Sequence, residues 1–222
     1  MFESIGSTLD VAHTLGAAGA SAGTLVLAEQ QTAGRGRSGR RWASAPGSGI
    51  WLTLIERPSD PAAVEVLSLR VGLRAAAALD RWAAEPVRLK WPNDLYCEGG
   101  KLAGILIEAR WREQRLDWVA IGLGVNVRPP AEMPSAAALH HARSRVEVLA
   151  ELVPALRAAA TARGPLTERE LVAYAERDLA RGRACVEPAA GVVQGIDAHG
   201  SLVVRTPAGD VACRAGSLVF EG

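Results

Sequence analysis

Gln30-Gln-Thr-Ala-Gly-Arg-Gly-Arg-Ser-Gly-Arg-Arg-Trp42 decides how the rest of the chain is read. Four arginines (Arg35, Arg37, Arg40, Arg41) and three glycines (Gly34, Gly36, Gly39) crowd into it. Such a stretch cannot build a core. Glycine opens backbone conformations closed to other residues, and clustered arginines repel unless an anion sits among them. It reads as a mobile loop that orders around a phosphate-bearing ligand; the alternative is an exposed basic surface loop. Gly34-Arg-Gly36-Arg-Ser-Gly39 also matches the G-x-G-x-x-G fingerprint and follows an apolar run, Thr24 to Ala28. That fingerprint needs a helix to open at its last glycine. Arg40 to Gly49 contains Pro46, Gly47 and Gly49 and will not hold a helix, and a β-like run, Ile50 to Ile55, comes next. The stretch therefore joins strand to strand, and the dinucleotide-binding fold is set aside.

Working outward, 222 residues suffice for one large domain, or one domain plus a small one. Hydrophobic residues make up 49% and charged residues 22%, the balance of an ordinary globular chain. The net charge of +1 is low for a general nucleic-acid binder, so the arginines matter locally. Cys97, Cys185 and Cys213 form no C-x-x-C, and the four histidines add no metal-ligand spacing. This points to a reducing compartment. The N-terminus lacks a basic n-region and carries Glu3, unlike a signal peptide. No apolar run approaches the roughly 18 residues of a membrane span. A soluble cytoplasmic protein is expected.

Ser7 or Thr8 can cap a helix running to about Ala20, with Val11, Leu15 and Ala18 on one face. Thr24 to Glu29 and Gly49 to Glu56 read as strands flanking the arginine loop. Asp60 begins a long helix to about Ala84, in which Val64, Leu67, Val71, Ala75, Ala78 and Trp82 recur at helical steps and form a packing face. Val87 to Trp91 is a strand. Lys101 to Ala109 and Leu116 to Val127 form an antiparallel hairpin. Arg128 to Ser144 is irregular, with prolines at 129, 130 and 134. Val146 to Arg163 and Thr167 to Arg181 are helices joined through Gly164-Pro165. After Gly182 the alanine runs stop and short β segments separated by glycine begin, which suggests a small β-barrel packed on a larger domain. The expected division is residues 1–181 and 182–222.

Three segments could carry chemistry. Lys90-Trp-Pro-Asn93-Asp94 ends a strand and puts short oxygen donors at its tip, suited to Mg²⁺ or to fixing a ligand; Pro-Asn-Asp is also an ordinary turn. Lys101 opens the apolar strand Lys-Leu-Ala-Gly-Ile-Leu-Ile-Glu108, where its ammonium either meets developing phosphate charge or snorkels at the strand end. Ile121-Gly-Leu-Gly124-Val-Asn126 is an apolar strand with two glycines, a mark of close approach by a ligand or another backbone, and an asparagine that needs hydrogen-bond partners. That asparagine is either a satisfied core amide or a ligand contact.

In order, Gln31-Thr-Ala-Gly-Arg-Gly-Arg-Ser-Gly-Arg-Arg-Trp42, Lys90-Trp-Pro-Asn-Asp94, Lys101-Leu-Ala-Gly-Ile-Leu-Ile-Glu108, Gly122-Leu-Gly-Val-Asn126 and Gly195-Ile-Asp-Ala-His-Gly200 resemble the motifs of the biotin protein ligases, the biotin–acetyl-CoA-carboxylase ligases. The resemblance runs from roughly Ser7 to Phe220. It implies an α+β fold, a mixed, largely antiparallel sheet flanked by helices like the class II synthetases, followed by a small C-terminal SH3-like β-barrel. It implies ATP and biotin as substrates, with Mg²⁺. Biotin and MgATP would give biotinyl-AMP and pyrophosphate, and a lysine of a biotin carboxyl carrier protein domain would then take the biotinyl group.

By the same resemblance, Lys101 would bridge the biotin carboxylate and the α-phosphate, and Arg37 would act with it. Ser7, Thr8, Gln31, Gly34, Arg35, Gly36, Lys101 and Gly104 would bind biotin. Arg35, Arg37, Arg40, Trp42, Asn93 and Asn126 would bind ATP or the adenylate, and Asp94 would hold Mg²⁺. The family commonly has Ser-Thr-Asn where this chain has Ser7-Thr8-Leu9, so the asparagine's work is missing or done elsewhere. The motifs begin within the first ten residues, so no DNA-binding domain and no repressor activity are expected. An edge strand is available for homodimerisation. The enzyme alternative is a lipoate or octanoate ligase or transferase. The alternative of another class is a nucleic-acid-binding module, which near-zero net charge and only two Phe and two Tyr argue against.

Overall fold

A computed structural model describes residues 1–130, 133, 135–140 and 144–221. Pro134, counted in the irregular stretch, lies outside the described residues. β1 (Phe2–Ile5) leads into α1 (Thr8–Ala17), β2 (Thr24–Gln31) and β3 (Gly49–Glu56). A 3-10 segment, Pro61–Val66, precedes α2 (Leu67–Leu79). β4 (Arg88–Lys90), β5 (Asp94–Cys97), β6 (Gly100–Arg112) and β7 (Arg115–Asn126) complete a seven-stranded sheet of order β1-β2-β3-β7-β6-β5-β4. Every pairing is antiparallel except β1 with β2. α3 (Arg145–Ala160) and α4 (Glu168–Arg177) follow.

β3 explains the layering. All eight of its residues are buried, so it is covered on both faces. Its side chains alternate. Ile50, Leu52 and Leu54 join the main core with α2 and α3, while Ile55 joins a smaller cluster with Leu9, Ala12, Val26, Trp118 and Ala120 beneath α1. On that second face β6 and β7 carry glycine at 104, 122 and 124. The missing side chains leave a trough beside α1, and the arginine loop lies over it.

The last five strands, β8 (Ala184–Glu187), β9 (Gly191–Ile196), β10 (Leu202–Thr206), β11 (Gly209–Cys213) and β12 (Val219–Phe220), form a second sheet of order β11-β10-β9-β8-β12. The expected strands are present, but the sheet is not closed into a barrel: among the described residues, β11 and β12 stand at its two ends. Cys185, Val193, Leu202, Val204 and Leu218 belong to the same buried cluster as Leu69 and Leu89, so apolar packing is continuous between the two sheets. Trp91 Nε1 also donates to Gly200 O across 3.0 Å.

Several expectations need correction. α1 buries Leu9, Ala12 and Gly16 and leaves Leu15 exposed, because Gly16 makes room for Trp118: a Cβ there would lie 2.7 Å from the indole. The long helix from Asp60 is broken into 3-10, α and 3-10 segments, and α2 is buried nearly all round. β1 and β5 were not expected. The three cysteines are free, and no helix among the described residues is long and apolar enough to cross a membrane.

Candidate active site

The trough forms a cavity of about 340 Å³ between α1, the arginine loop, β4–β7 and the segment before β12. Of the residues expected to bind ligand, all but Gly34 line it. Gly34 stands behind the wall: a Cβ there would meet Trp42 O at 2.5 Å, so its bareness serves loop packing.

One end of the cavity is neutral and polar. Ser7 caps α1, its Oγ accepting from Leu9 N across 3.2 Å. This places Thr8 at the helix start, where its N and Oγ1 both donate to Gln31 Oε1 at 2.8 and 3.0 Å. Gln31 Nε2 donates to Ser44 Oγ at 2.9 Å, and Thr53 Oγ1 donates to Thr8 Oγ1 at 2.9 Å. Gln31 is thereby fixed in one orientation, with one amide N–H left over.

The middle is apolar. Trp42 lies on the glycine floor: Cβ atoms at Gly104 and Gly124 would meet its ring at 2.7 and 2.5 Å. The Trp42 and Trp51 rings meet edge-on at 6.4 Å. Gly104 was expected to bind biotin; what the structure shows is that it makes the seat for Trp42.

The other end is cationic. Lys101 Nζ lies 2.7 Å from Asp94 Oδ1 and 5.1 Å from the centroid of Trp42. Arg37 donates to Asn93 Oδ1 at 3.2 Å and to Gly216 O at 3.3 Å, and Arg40 donates to Ser217 Oγ at 3.3 Å. Burial lowers the pKa of Arg37, Asp94 opposes that, and Arg40 adds to it. Asn93 Nδ2 donates to Ile105 O at 2.8 Å, holding the β4–β5 turn against β6. Burial likewise raises the pKa of Tyr96, and Asp94 adds to the rise.

The strand register separates the two ends. Thr53 pairs with Gly122, and Asn126, four residues further along β7, donates Nδ2 to Lys101 O at 3.1 Å. That is roughly 13 Å along the strand. The cavity thus matches an extended molecule with a neutral hydrogen-bonding head, an apolar chain and an anionic end.

Three expected residues have other engagements. Arg35 lines the cavity but is paired with Asp10 at 2.8 Å and Glu108 at 2.5 Å, and Glu108 also contacts His13. Asn126 gives its second Nδ2 proton to Ala137 O at 3.1 Å, so its amide donors are those of a satisfied core side chain. Asp94 is paired with Lys101, and no group of three or more His, Cys, Asp or Glu among the described residues is arranged for a metal. One carboxylate already matched to an ammonium does not fit a resident Mg²⁺.

The sequence reading missed Thr53, Ser44, Lys90 and Ser217. Thr53 had a usable signal, as a lone hydroxyl within the apolar run Ile50 to Ile55. Lys90 had one too: Lys90 and Lys101 are the only two lysines among 25 Lys and Arg residues, and both line the cavity. Ser217 had none.

Residues 1–126 match the model of the biotin/lipoate A/B protein ligase family. The biotin–[acetyl-CoA-carboxylase] ligase of Paracoccus denitrificans is 34% identical over 232 residues, covering 93% of this chain and 94% of that protein. The bifunctional ligase/repressor BirA of Bacillus spizizenii is 41% identical over 129 residues; the match covers 58% of this chain and only 40% of that longer protein. The structure of the Aquifex aeolicus biotin protein ligase in complex with biotin and ATP superposes with a TM-score of 0.79 at 23% identity, covering 100% of this chain and 97% of that one, a likeness of fold. A family model covering more than half of the chain and a relative matched along almost its whole length agree: this chain belongs to the biotin/lipoate A/B protein ligase family.

Proposed function

We propose that the chain is an ATP-dependent biotin–[acetyl-CoA-carboxylase] ligase that works through biotinyl-5'-AMP and transfers biotin to a lysine of a carrier domain. The observation that carries this reading is the graded cavity, with the neutral Gln31–Thr8–Thr53 network at one end and Lys101, Arg37 and Arg40 at the other. Biotin has a neutral ureido head, an aliphatic chain and a carboxylate, in that order.

In the first step a biotin carboxylate oxygen attacks the α-phosphorus. The bond from that phosphorus to the bridging oxygen breaks, and pyrophosphate leaves with the electron pair. Both reactants are anions, so cations must stand between them. Lys101 is suited to this: the Asp94 contact holds its ammonium at the cationic end of the cavity, and an incoming carboxylate and phosphate can share it. Arg37 and Arg40 tie the loop to the β4–β5 turn and to the segment before β12, which closes the site over the intermediate and keeps water from the acyl phosphate. In the second step the acceptor amine attacks the acyl carbon, AMP leaves, and the amine gives up a proton as the amide forms. Mg²⁺ carried by the nucleotide would neutralise phosphate charge. The division into a catalytic part, residues 1–181, and a C-terminal part, residues 182–222, belongs to the same reading, with the second part contributing Gly216 and Ser217 to closure.

Biotin-dependent exchange of labelled pyrophosphate into ATP, with no acceptor, tests this proposal. Exchange with biotin supports it. Exchange with lipoate alone would keep the chemistry and change the substrate, and absence of exchange with either would reject adenylation.

A further inference from the structure

Crowded arginines need an anion among them, and at the root of the arginine loop the protein supplies its own. Arg35 Nη1 donates to Asp10 Oδ1 at 2.8 Å, and its Nη2 donates to Glu108 Oε1 at 2.5 Å. Asp10 comes from the first turn of α1. Glu108 comes from β6, on the same face as Gly104 and Leu106. Glu108 is itself held. His13, one turn along α1 from Asp10, contacts its Oε2, and Arg110 Nη2 lies 3.5 Å from the same oxygen. Behind His13 stands Trp118, their rings 5.2 Å apart, in the space that Gly16 leaves.

Arg35 carries the rest of the loop with it. Gly36 N donates to Arg40 O at 2.8 Å and Trp42 N donates to Gly34 O at 2.9 Å, which closes the loop into a small hairpin. Arg35 and Arg41 face each other across it. Trp42, at its end, covers the glycine floor. Arg37 and Arg40 hold the far side of this hairpin, whereas Arg35 holds its root. All the bonds at the root join groups of the chain itself, so this anchor forms without help from a ligand. A single pair of exposed side chains contributes little, but a guanidinium shared by two carboxylates, one backed by His13 and Arg110, is a network.

We propose that Asp10 and Glu108 hold the arginine loop shut before substrate binds, and that release of Arg35 is the step that admits biotin and lets it out. The choice of biotin rests on the ligase reading above; the latch itself does not. Asp10 and Glu108 are positioning residues that act through Arg35. A latch made of protein groups alone stabilises the shut loop equally with and without biotin. Breaking it therefore leaves affinity almost unchanged. The rates rise instead, because entry and exit pass through the same opened state.

The test compares the full chain with Glu108→Gln, which keeps the side chain's shape and removes its charge, and with Asp10→Asn, at an exposed position of α1. Stopped-flow tryptophan fluorescence reads biotin binding, since Trp42 lines the cavity. Each variant should raise the association and dissociation rates together by about fivefold, with Kd within about twofold of the parent value. Trypsin, which cuts after arginine, should cleave the loop of the biotin-free variants about fivefold faster, because cleavage follows the opened population. A denaturant midpoint equal to that of the parent shows that a variant is folded; where Glu108→Gln shifts it, Asp10→Asn carries the test. An unchanged association rate with faster dissociation would overturn the proposal, since the loop would then stand open until biotin arrives. So would unchanged trypsin cleavage in both variants. If the parent binds no biotin while the variants still expose the loop to trypsin, the ligase reading fails and the latch stands.

Discussion

Arg37 donates to Asn93 Oδ1 across 3.2 Å, and this bond joins the middle of the arginine loop to the turn between β4 and β5. The two residues are far apart in sequence, and the second guanidinium nitrogen reaches Gly216 O in the segment before β12. One side chain therefore latches three segments over the cavity. Arg37→Gly removes all of these ties. The variant should still adenylate biotin but release biotinyl-AMP, which would then label amines of bystander proteins. Streptavidin blotting of a mixture containing the carrier domain and an unrelated protein checks this; labelling confined to the carrier domain contradicts it.

Lys101→Ala should lower biotin-dependent exchange by about a hundredfold or more, since charge placed for the transition state is lost. Its side chain and that of Asp94 are partly exposed, so the fold should survive. Exchange that persists near the parent rate would remove Lys101 from the mechanism.

Thr53→Val keeps the shape of the side chain and deletes the hydroxyl that donates to Thr8. Thr8 and Gln31 then lose part of their fixed orientation. The KM for biotin should rise roughly tenfold with kcat little changed, and Thr53→Ser should restore it. Steady-state kinetics of the three proteins separates this from a general loss of fold, which would lower kcat and leave Thr53→Ser impaired.

Arg70 is buried in α2 and pairs with Glu170 at 2.8 Å, while also donating to the carbonyls of Gly164 and Pro165. Burial opposes ionisation of Glu170, but hydrogen bonds from Arg70 and Thr167 outweigh it, so its pKa lies below the ordinary value. A depressed carboxyl pKa contributes stability that is present above the unfolded value and lost as pH falls through the folded one. Arg70→Met should cost about 3 kcal/mol and weaken that acid dependence, because Glu170 keeps only its hydrogen bonds from Thr167 as a reason to stay charged. Denaturant unfolding at neutral and acidic pH reads both effects; equal acid sensitivity in the two proteins would count against this pairing.

Much of the fold was legible where the pattern was long and local. The β6–β7 hairpin and the fully buried β3 announce themselves by apolar runs bounded by turn residues. β1 was not legible, because four residues beginning Phe2-Glu3 hold their place by pairing with β2, a partner over twenty residues away. β5 hid behind Pro92-Asn93, whose turn chemistry is real but ends at Asp94. The open second sheet could not be distinguished from a barrel, since the short strands are the same and closure depends on whether the end strands meet. At the site, residue types near the loop were readable, but commitments were not. Arg35 looks like its neighbours in sequence, and only the approach of Asp10 and Glu108 commits its guanidinium to carboxylates of the protein. The contacts of Arg37 and Arg40 with Gly216 and Ser217 span nearly the whole chain, beyond any local pattern.

The confinement of both lysines to the cavity has a chemical consequence under the proposed acyl-adenylate chemistry. Every other basic side chain, apart from the histidines, is an arginine, whose guanidinium stays protonated at neutral pH and is a poor nucleophile. No lysine outside the cavity offers an amine to activated biotin that escapes. The leaking Arg37→Gly variant should therefore tag its surroundings while its own surface side chains stay almost unmarked. Arginine in place of lysine would leave the exterior with few side-chain amines for the proposed adenylate to label.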